Sequence, residues 1–118
     1  SRARQIVKAN DVLVSTVRPN LNAVAKVSLN LDDSIASTGF TVLRANENIL
    51  NSNYLFQWVK SPNFVSNMVE KATGASYPAV SDKIVKGSLI LLPPIELQNK
   101  FAEIVKKIEA LKAEKQKS

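Results

Sequence analysis

Leu92-Pro93-Pro94-Ile95-Glu96-Leu97-Gln98-Asn99-Lys100-Phe101-Ala102-Glu103-Ile104-Val105-Lys106-Lys107-Ile108-Glu109-Ala110-Leu111 joins two signals in one stretch. The proline pair opens a helix, because a residue without an N–H is tolerated in the first turn, where that donor has no partner in any case. Beyond it, Leu97, Phe101, Ile104, Ile108 and Leu111 recur at spacings of 4, 3, 4 and 3, the a and d positions of two heptads. Val105 widens the stripe. The other faces carry Glu103, Lys106, Lys107, Glu109, Lys112, Glu114 and Lys115, interspersed in sign as on a solvated surface. Two heptads are too short to stand alone in water. Residues 97–111 are therefore expected to pair, with a second copy, with another helix of the same polypeptide, or with the body of the domain.

Upstream of this helix the pattern changes. Ser88 to Leu92 is short and very apolar and reads as a last strand, and Asp82 to Gly87 reads as a single helical turn. Thr73 to Ser81 is a small polar loop holding Tyr77 and Pro78. Phe64, Val65, Met68, Val69 and Ala72 share one helical face, which predicts a helix from about Pro62 to Ala72, with Gly74 as its C-terminal stop. Tyr54, Leu55, Trp58 and Val59 predict another helix, capped by Ser52 or Asn53 and broken at Ser61-Pro62-Asn63. Asn46 to Asn53 is a polar loop. Three β-branched or alternating stretches, Val12–Val17, Ala23–Leu29 and Phe40–Arg44, read as strands, the first two joined as a hairpin through Arg18-Pro19-Asn20. The expected fold is α+β: a small, mainly antiparallel sheet, two short helices packed on it, and a protruding C-terminal helix of coiled-coil type. Residues 1–93 form the body and 94–118 the helix.

With 118 residues, this is one domain with one modest core. It contains no cysteine and no histidine, which removes disulfides, thiolate nucleophiles, thiolate zinc sites, the commonest general base and the commonest metal ligand. The longest apolar run, Leu89 to Ile95, is broken by Pro93 and Pro94, so no membrane span is expected. No leader-length apolar stretch follows the N-terminus, and together with the lack of cysteine this points to the cytoplasm. The first residue is Ser, so a fragment or processed chain is expected.

Catalytic constellations are sparse. Asp32-Asp33 are adjacent and point apart on a regular backbone, which favours a turn cap over an acid–base pair. Gly39, Gly74 and Gly87 are scattered and make no phosphate loop. Ser81 and Lys83 could serve as a nucleophile and base only if the fold brought them together in a cleft. No enzyme activity, metal or cofactor is expected of this chain.

The charge balance points elsewhere. Sixteen Lys and Arg oppose ten Asp and Glu, a net charge of +6. Residues 1–93 alone hold ten basic against six acidic residues. Arg2, Arg4, Lys8, Arg18 and Lys26 fall in the first third, and Lys71, Lys83 and Lys86 flank the Thr73–Ser81 loop. Basic residues among short loops rich in Asn, Ser and Thr suit a polyanion, with Arg matching guanine and Asn matching adenine. A solvated basic surface with turn-forming asparagines would have the same composition.

Four blocks, in order, resemble the DNA specificity subunit of type I restriction-modification systems: its target-recognition domain and the conserved helix that follows. Ala9-Asn10-Asp11-Val12-Leu13-Val14-Ser15-Thr16-Val17-Arg18-Pro19 is similar to that family's G-D-I-L-x-S-x-R-P strand, with Asn10 in place of Gly. Ala36-Ser37-Thr38-Gly39-Phe40-Thr41-Val42-Leu43-Arg44 is similar to its S-x-G-F-x-V-L-R segment. Tyr54-Leu55 and Ser61-Pro62 fall where its Y-L-x-x-x-L-x-S helix lies. The Ala72-Thr73-Gly74-Ala75 loop, Val80-Ser81, and Leu92-Pro93-Pro94-Ile95-Glu96-Leu97-Gln98 follow its A-x-G, I/V-S and P-L-P-P-x-x-E-Q steps, with one residue between Glu and Gln.

The resemblance implies a non-catalytic reader of double-stranded DNA. Its partners would be adenine-methylating modification subunits and, in complete systems, a restriction subunit. Arg18, Asn20 and Asn22 after the first strand, and Thr73, Gly74, Ser76, Tyr77 and Lys83 around the second loop, are the expected DNA contacts. Arg18 and Lys83 would meet phosphate or guanine, and Gly74 would allow close backbone approach. Leu97, Phe101, Ile104, Ile108 and Leu111 would serve as spacer and partner contacts. The alternatives are the reading region of a combined restriction–methyltransferase enzyme, or a dimerising interaction module that binds no DNA.

Overall fold

In the computed structural model, residues 5–117 are described, with side chains described through Lys115. The chain runs β1 (Gln5–Ile6), β2 (Val12–Ser15), a 3-10 turn (Pro19–Leu21), β3 (Val24–Lys26), a second 3-10 turn (Leu29–Leu31), β4 (Ile35–Ala36) and β5 (Phe40–Leu43). Four helices follow: α1 (Ser52–Val59), α2 (Pro62–Lys71), α3 (Asp82–Gly87) and α4 (Ile95–Lys117). The fold is α+β with small antiparallel sheets. The central sheet has the order β3-β2-β5, and β1 pairs with β4 in a two-stranded ribbon. No helix among the described residues is long and apolar enough to cross a membrane.

β2 lies in the middle because its residues suit burial between two neighbours. Val12 and Val14 are buried on one face and meet Leu55, Val59, Phe64, Met68, Val80 and Val85 in a single core. Branched side chains pack well on a pleated, covered surface. The register sets Val12 opposite Lys26 on one side and Leu43 on the other. α1, α2 and α3 each start on a side-chain cap. Asn51 accepts from the N–H groups of Asn53 and Tyr54, Ser61 from Phe64, and Ser81 from Ile84. These bonds satisfy donors that a first turn leaves orphaned. Asn51, rather than Ser52 or Asn53, caps α1, and Ser52 is buried one position on.

Several expectations need correction. Ser88–Leu92 forms no strand. Leu89 is 89% exposed and Leu91 and Leu92 are also exposed; only Ile90 reaches the core. The segment crosses from α3 to α4 without a partner strand, held by the Tyr54 hydroxyl, which donates to the Leu91 carbonyl at 2.7 Å. α2 ends at Ala72 in extended conformation, so Gly74 is not its left-handed stop. α3 occupies Asp82–Gly87, where a single helical turn was expected, and stands beside the two longer helices on the sheet. The ribbon of β1 and β4 had no signal, since two-residue strands are too short to show a period.

Polar burial is sparse and, among the described residues, paired except at Thr41. Asp11, 1% exposed, accepts two bonds from the Arg44 guanidinium, at 2.9 and 2.8 Å, and one from the Lys8 N–H at 2.8 Å. Burial alone pushes this carboxyl up, but the Arg44 fork and the Lys8 N–H outweigh it and hold it below the usual carboxylate range. The buried Thr41 hydroxyl has no partner at hydrogen-bond geometry among the described residues. It lies toward the Asp82 carboxylate and, with Lys86, keeps that group below its ordinary value despite some burial.

Candidate nucleic-acid interface

At the end of β2, two loops are laced together by main-chain bonds. Thr73 and Ala79 exchange both N–H···O bonds, at 3.0 and 2.9 Å, and so close the short loop between them. Ala79 also bridges Val17 on its other side. The Arg18 N–H donates to the Pro78 carbonyl at 2.7 Å, and the Val80 N–H donates to the Thr16 carbonyl at 2.8 Å. The first expected cluster, after β2, is thereby joined to the second, around residues 73–79. Residues more than fifty positions apart become one edge.

Arg18, Asn20, Thr73, Gly74, Ser76 and Tyr77 are all exposed on this edge. Arg18 adopts φ 47 and ψ 61, a left-handed conformation that is uncommon outside glycine and asparagine. Its guanidinium carbon lies 4.8 Å from the centre of the Tyr77 ring, within cation–π range. Gly74 has φ +102, and a Cβ there would stand 2.9 Å from the Tyr77 carbonyl oxygen, closer than side chains tolerate. Glycine at this position lets the loop fold back under Tyr77. Neither segment bears an acid: residues 12–31 and 71–81 contain no Asp or Glu.

Asn22 and Lys83 are placed differently. The Asn22 amide turns inward and donates to the Val59 carbonyl at 2.9 Å, pinning the turn against the end of α1. Asn22 is also left-handed, at φ 47. Lys83 is exposed in the first turn of α3, three residues after Val80. The Ser81 oxygen beside it accepts the Ile84 N–H as the helix cap at 3.1 Å. Asp32 and Asp33 take separate donors, the Ala9 N–H at 2.7 Å and the Lys8 ammonium, as turn-closing groups do.

A family model for the type I restriction modification DNA specificity domain matches residues 3–118. The chain belongs to that family. This specificity domain is 39% identical to the crystal structure of the HsdS subunit from Thermoanaerobacter tengcongensis, with a TM-score of 0.76 over 99% of its own residues and 32% of that chain. A second solved chain, from work on complex assembly and conformational transition of the type I R-M system, is also 39% identical. Its TM-score is 0.80, over 99% of this chain and 30% of that one. The Type I restriction enzyme HindI specificity subunit of Haemophilus influenzae is 26% identical over 106 residues, 88% of this chain and 23% of that protein. The specificity domain thus spans 23–32% of the length of these relatives.

The specificity domain presents its α4 seam to solvent. Leu97, Phe101, Ile104, Ile108 and Leu111 are each 42–65% exposed. The face that docks on the body is a neighbouring one: Gln98 is fully buried, Ala102 nearly so and Val105 partly. Gln98 accepts the Asn51 N–H at 2.8 Å and donates to the carbonyls of Ile49, at 2.9 Å, and Pro93, at 2.8 Å. The Asn51 amide adds a bond to Asn99 at 2.8 Å, and the Tyr54 ring meets Phe101 edge-on at 5.9 Å. One asparagine thus caps α1 and holds the start of α4.

Sequence reasoning missed Gln98, the Asp11–Arg44 pair and the cation–π contact of Arg18 with Tyr77. A signal for the first was available. Gln98, Ala102 and Val105 share a helical face, and the small Ala102 allows close approach. Nothing local announced the other two.

Proposed function

We propose that this chain reads part of a duplex-DNA target through the edge formed by Arg18, Asn20, Thr73, Gly74, Ser76 and Tyr77. Lys83 supplies a flanking phosphate contact, and Asn22 holds the turn in shape. The observation that carries this reading is the joining of two acid-free loops into a single exposed basic and polar edge. Loops bearing Arg, Asn, Ser and Tyr on a rigid sheet suit contact with base edges, while cations beside them position the backbone.

The chain is non-catalytic in this reading. Methylation and cleavage belong to modification and restriction subunits, which a specificity subunit places on DNA in the cytoplasm. Residues 1–93 form the reading body, and 94–118 the helix that spaces and assembles it. The exposed seam of Leu97, Phe101, Ile104, Ile108 and Leu111 supports pairing with a similar helix, in a second copy or elsewhere in the same polypeptide, because heptad positions left in water gain by burial.

Fluorescence anisotropy of this chain with a random duplex tests the reading. If about three phosphates are neutralised, raising salt from about 50 to 200 mM weakens binding about 40-fold through counterion uptake. An affinity indifferent to salt, or no binding at the lower concentration, would refute a DNA-reading edge.

A further inference from the structure

We propose that the Arg18 guanidinium, laid on the Tyr77 ring, reads a guanine in the major groove, so that the target of this chain carries a guanine facing Arg18. The inference rests on the DNA-reading function above and assigns the base that this edge selects.

The backbone of Arg18 is fixed from both sides. Its N–H is bound to the Pro78 carbonyl at 2.7 Å, its own carbonyl accepts the Leu21 N–H at 2.9 Å, and the buried Pro19 follows it. A left-handed arginine is strained relative to ordinary backbone, and such strain persists only where the surroundings impose it. Here it aims a side chain across the gap between the two loops.

The side chain is restricted as well. Tyr77 is 73% exposed and so is not a core residue; the contact its ring makes is with the guanidinium at 4.8 Å. Among the described residues, Arg18 has no carboxylate partner, whereas Arg44 is held in a two-pronged pair with Asp11. A guanidinium is planar, and one held 4.8 Å from a ring centre has fewer directions open to its N–H edge than one free in solvent. The O6 and N7 acceptors of guanine lie in one plane at the spacing of that edge.

A phosphate partner would make other demands. Backbone contacts need charge and reach but little planarity, and a lysine serves them. A loop built to press a tyrosine under an arginine, with Gly74 admitting the turn, restricts the fork in a way that backbone attraction does not require.

The test is selection from a pool of duplexes with a randomised central segment. Wild-type chain, Arg18→Lys, Tyr77→Ala and Tyr77→Phe are each used, and bound duplexes are sequenced. Wild type is expected to favour guanine at one position by about 5-fold to 150-fold over other bases. Arg18→Lys retains the charge and loses the planar fork, so that preference falls at that position while the rest of the selected sequence persists. Tyr77→Phe retains the preference and Tyr77→Ala weakens it. Circular dichroism establishes that each variant is folded, and Arg18→Lys decides the matter by itself if Tyr77→Ala is not.

An unchanged preference in Arg18→Lys, or a uniform loss of affinity over all sequences, would overturn the guanine assignment while leaving DNA reading in place. Binding without any selected base would do the same. Failure of wild type to retain any duplex at low salt would overturn the DNA-reading function and the guanine assignment together.

Discussion

Gln98→Met isolates the polar clamp between α4 and the body. Methionine nearly matches glutamine in volume and helix propensity, so the change removes hydrogen bonds with little loss of packing. Three bonds disappear, those to the Asn51 N–H and the Ile49 and Pro93 carbonyls. Each is worth about 1 kcal/mol net, and more where its partner is left buried and unpaired. Ile49 is 55% exposed, so water can reach that side and reduces the total. The expected loss is about 2–3 kcal/mol. At about 4 °C per kcal/mol for a chain of this size, thermal melts followed by circular dichroism should fall by about 8–12 °C. Glu103→Ala, on an exposed face of the same helix, is the control and should stay within about 0.5 kcal/mol of wild type. A fall of less than about 3 °C in Gln98→Met would refute the view that this side chain anchors the helix.

Arg44→Met leaves Asp11 buried with only the Lys8 N–H to stabilise its charge. Arg44 is itself 57% exposed, so the expected loss at pH 7 is about 2 kcal/mol, below the usual range for a fully buried pair. The wild-type Asp11 carboxyl lies below its unfolded value of about 3.9, so its contribution is complete above that pH and is lost as pH falls through the depressed folded value. In the variant, burial instead raises that carboxyl, and the stability gap to wild type should be widest at neutral pH and close below about pH 4. Urea melts at the two pH values check this, and a gap that widens on acidification would contradict it. Gly74→Ala meets both a positive φ and a Cβ 2.9 Å from the Tyr77 oxygen. It should lower stability by about 1–3 kcal/mol and weaken duplex binding, measured by melting and anisotropy, and a neutral result would mean the loop adjusts freely. Ile104→Lys with Ile108→Lys alters two exposed seam positions. Intrinsic stability of the monomer should move by no more than about 0.5 kcal/mol, whereas light scattering should show self-association lost. A dimer that persists would place any pairing surface elsewhere.

The amino-acid sequence determined what short-range chemistry can determine. The prolines at the start of α2 and just before α4, the serine and asparagine caps, and apolar residues three and four apart mark the helices within a few residues of where they lie. The three strands of the central sheet were visible as branched runs. Four ordered blocks carried the family, and the missing cysteine and histidine excluded most catalytic chemistry. The residues of the candidate interface were likewise legible as polar and basic loops.

Tertiary structure decided how those pieces meet. A heptad stripe specifies an apolar face but not its partner; α4 docks instead through Gln98, two of whose three bonds reach a loop nearly fifty residues away. Ser88–Leu92 has the composition of a strand and forms none, because a strand exists only where a neighbour offers a free ladder of donors and acceptors. Arg18 and Tyr77 come into contact only because Val17, Ala79 and Thr73 pair in a row, and main-chain pairing between distant segments leaves no periodic trace in either one. Periodicity and capping act over a few residues, while pairing and burial depend on the whole chain closing on itself.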